Sequence, residues 1–250
     1  MIINDSDIRI ISDGTINSFF TKEGYKSQPK NFSLDENQAD HYWGPWRVIN
    51  SAWNNAAAYR SISRDISPSI PGHLLDIGCG PMVKAIKFLV EKVSGYYVGL
   101  DQVAALQCAE KFNAFNYSNV VLAHINLDNS DAMGSFMAAV NQQNINTFDA
   151  IVCVDVIEHL FNPSIILSMI NTMTDSDSRI YFATPERDLK RGSDCVSCEK
   201  RDHVREWNTE EFIQLLTHFN FKVEDVEILE CSDAKDGDKS TLFCKCKKLS

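Results

Sequence analysis

A chain of 250 residues, 44% hydrophobic and 23% charged, is long enough to bury the core of one large α/β domain and too apolar to stay disordered. Its net charge of −10 argues against a protein that grips nucleic-acid phosphates over a broad face, because such binding relies on clustered Lys and Arg. The opening residues from Met1 to Asp7 are acidic where a secretory leader is basic, and no apolar run reaches the length of a membrane span, so a cytoplasmic location is expected.

Residues 1 to about 37 keep no sustained period and read as a loose extension. His41-Tyr-Trp-Gly-Pro-Trp46 is aromatic and turn-like, and is read as packing that extension onto the domain rather than as part of a binding site. Val48, Ile49, Ala52, Trp53, Ala56, Tyr59 and Ile62 then hold helical spacing, which predicts one helix over 47–65 with a buried face. Residues 1–66 are thus expected to form an extension with a lid helix, and 67–250 a single domain.

After Pro68 and Pro71, strand and helix patterns alternate, which is the signature of a mainly parallel sheet. Strands are predicted over 74–77, 96–100, 120–125, 148–154 and 179–183, and helices over 82–92, 103–112, 131–142 and 163–173. Phe212, Ile213, Leu215, Leu216 and Phe219 mark one more helix, capped by Asn208 or Thr209. Residues 222–229 and 241–247 are read as an antiparallel pair across a short polar loop.

The first predicted strand runs into Asp76-Ile-Gly-Cys-Gly-Pro-Met82. Gly78 and Gly80 remove the Cβ atoms that would bar a ligand from bare backbone at a helix N-terminus. Asp101 ends the second strand, 25 residues after Asp76 by subtraction of the two numbers, where a carboxylate can accept hydrogen bonds from both hydroxyls of a ribose. Val83 stands where a dehydrogenase fingerprint has its third glycine, so the pattern points to a nucleotide-like ligand other than a dehydrogenase's dinucleotide.

Leu75-Asp-Ile-Gly-Cys-Gly80, Gly99-Leu-Asp101, Asn126-Leu-Asp128, the run from Phe148 to Leu160 and Ile180-Tyr-Phe-Ala-Thr-Pro185 follow in an order and spacing that resembles class I S-adenosylmethionine-dependent methyltransferases over about residues 73 to 230. His203-Val-Arg-Glu-Trp207 is similar to bacterial methyltransferases of sugars and secondary metabolites. The resemblance implies a Rossmann-like, seven-stranded, mainly parallel α/β sheet with its last strand antiparallel, helices on both faces and an N-terminal helical lid. It also implies S-adenosyl-L-methionine as cofactor, held by Asp76, Gly78, Cys79, Gly80, Asp101, Gln102, Asn126, Leu127, Asp128 and Asp155. Met82 departs from the small residue common at its position.

A methyl sulfonium is already electrophilic, so such a protein has to align a nucleophile and, for a hydroxyl, remove its proton. His203 is the first choice as base, with His159 and Glu158 beside it, since a neutral imidazole is matched to working pH. Arg205 and Trp207 are assigned to the acceptor, with an ion pair and core packing as their alternatives. The expected activity is O- or N-methylation of a small polar acceptor, such as a sugar or nucleotide-sugar, by a monomer or homodimer with no nucleic-acid or membrane partner.

Two other readings compete. Asp155, Glu158, His159 and the distant His203 resemble the metal-binding set of small-RNA 2′-O-methyltransferases, and a similar acidic pair occurs in ubiquinone-pathway O-methyltransferases. Two carboxylates and two imidazoles can hold a divalent ion that orients a diol. The primary reading assigns no metal, because a Glu-His dipeptide also occurs in methyltransferases that use none. The other competitor is a chain that binds the cofactor without transferring its methyl. Cys195-Val-Ser-Cys198 and Cys244-Lys-Cys246 have zinc-ligand residue types but only one two-residue spacing, so free thiols are expected.

Overall fold

The computed structural model describes residues 18–29, 42–53, 55–66, 68–70, 72–111, 116–230 and 239–249. His41, the rest of the extension and most of the 232–240 loop lie outside the described residues. Strands β1 (Leu74–Ile77), β2 (Tyr97–Asp101), β3 (Val120–His124), β4 (Ala150–Val154), β5 (Arg179–Pro185), β6 (Phe221–Glu230) and β7 (Lys239–Lys248) form one sheet in the order β3-β2-β1-β4-β5-β7-β6. β7 runs antiparallel to both its neighbours and the strands from β3 to β5 are parallel.

Parallel strands covered on both faces become near-continuous apolar runs, as β1 and β4 are throughout. Successive side chains alternate between faces, so Leu75 and Ile77 join one core while Leu74 joins the other. The first core includes Met133, Phe136 and Val140 of α5 (Ser130–Gln142), Ile166 and Ile170 of α6 (Ser164–Thr172), and Phe212 and Leu215 of α8 (Thr209–His218). The second includes Tyr59 and Ile62 of α2 (Ala56–Asp65), Ala85 of α3 (Val83–Phe88), and Leu106 of α4 (Val103–Lys111). Asp76 shares the parity of Leu74 and therefore faces α2. A capping box, in which Asn208 accepts from the Glu211 N–H and Glu211 from the Asn208 N–H, starts α8 as its sequence suggests.

Three elements differ from expectation. The single helix over 47–65 is two, α1 (Pro45–Ser51) and α2, parted where Asn55 takes φ +56°. The helix over 82–92 ends at Phe88 and continues only as a 3₁₀ turn at Val90–Lys92. A short helix, α7 (Arg187–Arg191), stands inside the expected loop after β5, with Glu186 accepting from the Leu189 N–H as its cap. No helix among the described residues is long and apolar enough to cross a membrane.

Candidate active site

The strand order reverses between β1 and β4, and a crevice opens there at the carboxyl ends of the strands, the usual place for a ligand in such sheets. A cavity of about 980 Å³ occupies it, lined from the glycine turn, the ends of β2 to β5 and the N-terminal α1 region.

At one end, Gly78 and Gly80 take φ +72° and +59°, and both line the cavity. A Cβ on Gly78 would lie 2.2 Å from Val156 Cγ2, so no side chain fits unless Val156 gives way. The Gly80 N–H donates to Asp101 Oδ2 and the Gln102 N–H to Asp101 Oδ1, each at 2.7 Å, which aims that carboxylate into the cavity beside the turn. Burial raises the Asp101 pKa to about 6 against those two donors. Gln102, Asn126, Leu127 and Asp128 line the same end. Asp128 also accepts from the Phe161 and Asn162 N–H groups, bracing the loop after β3 against the loop after β4.

Asp76 and Cys79 are placed elsewhere. Asp76 is fully buried on the α2 face, where the Tyr97 hydroxyl donates to it at 2.5 Å and the Tyr59 hydroxyl at 3.0 Å. Burial lifts its pKa to about 7 despite those bonds. The Cys79 side chain fills the space over Gly99, where an added Cβ would stand 2.8 Å from its sulfur, and its N–H is taken by the Leu100 carbonyl. Met82 adopts φ +60° and is 0% exposed, so its side chain packs under α3 and leaves the turn clear.

At the other end, Asp155, His159 and His203 line the cavity and Glu158 is buried beside them. Asp155 has φ +62°, a conformation that costs about 1–3 kcal/mol and turns the residue ending β4 out of the strand path. One ligand-competent atom from each of these four residues lies within 4.8 Å of the other three. Their partners orient them. His159 Nδ1 is 2.6 Å from the Asp202 carbonyl, His203 Nδ1 is 2.6 Å from Glu206 Oε1, and the Thr184 hydroxyl donates to Glu158 Oε2 at 3.1 Å. Both imidazoles therefore carry their proton on Nδ1 and present Nε2 as a lone pair. His203 Nε2 and Glu158 Oε1 are buried with no hydrogen-bond partner. Burial lowers the His159 pKa to about 4 and, with Asp155 adjacent, raises that of Glu158 well above the usual carboxylate range.

Arg205 and Trp207 do not line this cavity. The Arg205 guanidinium donates to the Leu160 and Phe161 carbonyls at 3.0 Å each, and the buried Trp207 donates its indole N–H to the Phe19 carbonyl at 2.6 Å. Both clamp segment 18–29 and the loop after β4 together, so packing replaces the acceptor role assigned to them. Conversely, Tyr42 and Trp43, taken as packing residues, line the cavity, as does Arg47, read only as the start of a helix. Sequence reasoning also missed Glu206, Thr184, Lys190, Arg191 and Lys200. Glu206 and Thr184 lie within the segments that carry the resemblance, but no spacing rule marked their roles. The described cysteines are free, and Cys244 and Cys246 lie in the core, away from Cys198.

A nucleotide-type seat faces a cluster of two carboxylates and two imidazoles, with Glu158 and His203 buried, His159 half-buried and Asp155 exposed, across the switch point of a sheet whose strand order is that of class I S-adenosylmethionine-dependent methyltransferases. A family model described as a methyltransferase domain matches residues 53–226, and the chain belongs to that family. It is 23% identical over 186 residues to a ubiquinone biosynthesis O-methyltransferase of Colwellia psychrerythraea, covering 66% of this chain and 69% of that one. Among solved structures, the methyltransferase domain of bacterial CtHen1-C superposes with a TM-score of 0.57 at 16% identity, covering 78% of this chain and 99% of that one. The glycopeptide N-methyltransferase MtfA, crystallised with S-adenosyl-L-methionine, does so with a TM-score of 0.57 at 10% identity, covering 78% and 94%. S-adenosyl-L-methionine is thus the methyl donor of this enzyme.

Proposed function

We propose that the protein methylates a hydroxyl oxygen of a small polar acceptor, and that Asp155, Glu158, His159 and His203 form a divalent-cation site beside that hydroxyl. The single observation that carries this is the pair of orphaned buried atoms, Glu158 Oε1 and His203 Nε2, inside a four-donor cluster whose imidazoles are already turned by their Nδ1 partners. An unpaired buried polar atom costs roughly 1–3 kcal/mol, and coordination removes that cost. Two imidazole nitrogens and two carboxylates suit a divalent transition ion or Mg²⁺. When bound, the cation supplies a fixed seat and a lowered pKa to an acceptor hydroxyl.

The chain's own groups do the rest. Gly78, Gly80 and Asp101 seat the methyl donor, Thr184 and Glu206 hold Glu158 and His203 in place, and Tyr42, Trp43 and Arg47 of the N-terminal region close the cavity from outside the 67–250 domain. The O-methyltransferase name of the Colwellia relative favours oxygen over nitrogen as the atom methylated. A sugar or nucleotide-sugar, expected from the segment 203–207, carries such hydroxyls.

One alternative has support in the same geometry. His203, with Glu206 on Nδ1 and Nε2 free, is also the arrangement of a histidine base that works without a metal. Methyl transfer measured across a panel of sugar and catechol acceptors with and without a chelator separates the two. We expect chelation to stop transfer while S-adenosylhomocysteine still binds by calorimetry, and Mg²⁺ or Mn²⁺ to restore it. Full activity in chelator, lost in His203→Ala, would favour the histidine base, and no S-adenosylhomocysteine binding would defeat both.

A further inference from the structure

Trp43, just ahead of α1, and Lys84, the second residue of α3, both line the cavity, and neither has a role in the site described so far. The Trp43 Cη2 atom lies 3.9 Å from the position that a Cβ on Gly80 would take, which sets the indole against the glycine turn. A stack of side chains holds it there. Tyr42 meets the Trp43 ring edge-on at 5.1 Å, and Arg47 covers the Tyr42 ring at 3.6 Å while donating to its hydroxyl. Yet the Trp43 indole N–H is buried and has no acceptor. A buried donor left unpaired is costly, and a ligand oxygen in the cavity removes that cost.

Lys84 also has donors to spare. Its ammonium carries three N–H groups, and among the described residues one of them is used, on the Ser51 carbonyl at the end of α1 at 3.1 Å. Its Nζ lies 5.3 Å from the Tyr59 ring. Asp155, Asp76 and Asp101 act on it through space only, without a hydrogen bond. A cation with free N–H groups among carboxylates suits a zwitterion, which offers both signs of charge at once. The amino-acid end of S-adenosyl-L-methionine is such a group, with an ammonium and a carboxylate on one carbon.

We infer that Trp43 and Lys84 hold the carboxylate at the amino-acid end of the methyl donor, so that the N-terminal region completes the donor's seat. Trp43 stands ahead of residues 53–226, which carry the family match, so this part of the seat comes from the chain's own extension. Gly78, Gly80 and Asp101 serve the rest of the donor from the sheet side. A donor gripped in this way joins the α1 region to α3, as the bond from Lys84 to Ser51 already does.

Calorimetry on the full chain tests this with S-adenosylhomocysteine and its carboxyl methyl ester, two ligands that differ in the charge these residues would meet. In the wild type we expect the ester to bind at least about tenfold more weakly, the usual worth of a hydrogen bond to a charged group. Trp43→Phe keeps an aromatic ring and removes the N–H, whereas Lys84→Met keeps the stem and removes the charge. Each should weaken the acid by about five- to tenfold and change ester affinity by less than about twofold, while Lys84→Arg retains most of the preference for the acid. An ester bound as tightly as the acid by the wild type would overturn the inference without recourse to any variant. Equal losses for both ligands would reduce the substituted residue to packing, and a preference left intact in either variant would remove that residue from the seat.

Discussion

Glu206 is fully buried, yet it touches no part of the cavity directly. Burial opposes its ionisation, but the His203 ring and the Arg191 guanidinium draw its pKa down to about 2. A fixed carboxylate on Nδ1 holds the His203 proton on the far side of the ring and keeps Nε2 available. Partners of this kind are worth about 10- to 100-fold in metal affinity. Glu206→Gln should therefore weaken Mn²⁺ binding by that factor in calorimetry, with an unchanged far-ultraviolet spectrum, and Glu206→Asp should recover part of it. Unaltered Mn²⁺ affinity in the Gln variant would leave Glu206 as loop packing only. The His203 to Glu206 spacing is plain in the sequence, but three residues apart on an irregular loop carry no facing rule, unlike the same spacing on a helix.

At the scale of elements, the start of α3 sets two effects against each other at Met82. Its left-handed backbone costs about 1–2 kcal/mol that glycine would recover, whereas truncating a fully buried methionine costs about 2–5 kcal/mol. Burial wins, so Met82→Gly should lower the unfolding free energy by about 1–3 kcal/mol in urea titration, and a stabilised variant would show that backbone strain dominates. The strands were legible to within about two residues because parallel strands covered on both faces read as unbroken apolar runs between turn residues. The break at Asn55 was hidden because the stripe from Val48 to Ile62 keeps its period across it. Trp207 and Arg205 misled for a related reason: an indole and a guanidinium look the same in sequence whether their donors meet a ligand or the carbonyls of Phe19, Leu160 and Phe161. The cofactor end of the site was readable since backbone turns announce themselves as glycines. The acceptor end was readable only in part: Asp155, Glu158, His159 and His203 were named from the sequence and do meet there, whereas Lys190, Arg191 and Lys200 were not, because no local pattern marks loop residues that converge from afar.

For the molecule as a whole, Asp76 ties stability to pH. Its folded pKa of about 7 lies above the unfolded value of 3.8, so the unfolded chain gives up this proton first. The stabilisation is complete below about pH 4, declines as pH rises and is lost once pH passes about 7. At 1.36 kcal/mol per unit the span is on the order of 4 kcal/mol. Asp76→Asn should flatten the fall in unfolding free energy between pH 5 and 8, measured by urea titration, and an identical slope in both proteins would assign that dependence to other groups. Asp101, raised to about 6, contributes in the same direction over a narrower window.

The contact between Gly78 and Val156 reaches further than the shape of one turn. Ordinary van der Waals contact begins near 3.4 Å, so a methyl group on Gly78, 2.2 Å from Val156 Cγ2, would have to displace that side chain by more than 1 Å. Val156 directly follows Asp155, so the displacement would pass from the donor's seat to the acceptor's. Methyl transfer needs its reacting atoms about 3–3.5 Å apart and in line, and a misplacement of about 1 Å can cost a hundredfold in rate. The bare α-carbon of Gly78 thus works as a spacer gauge, setting how closely the glycine turn and the loop after β4 can approach.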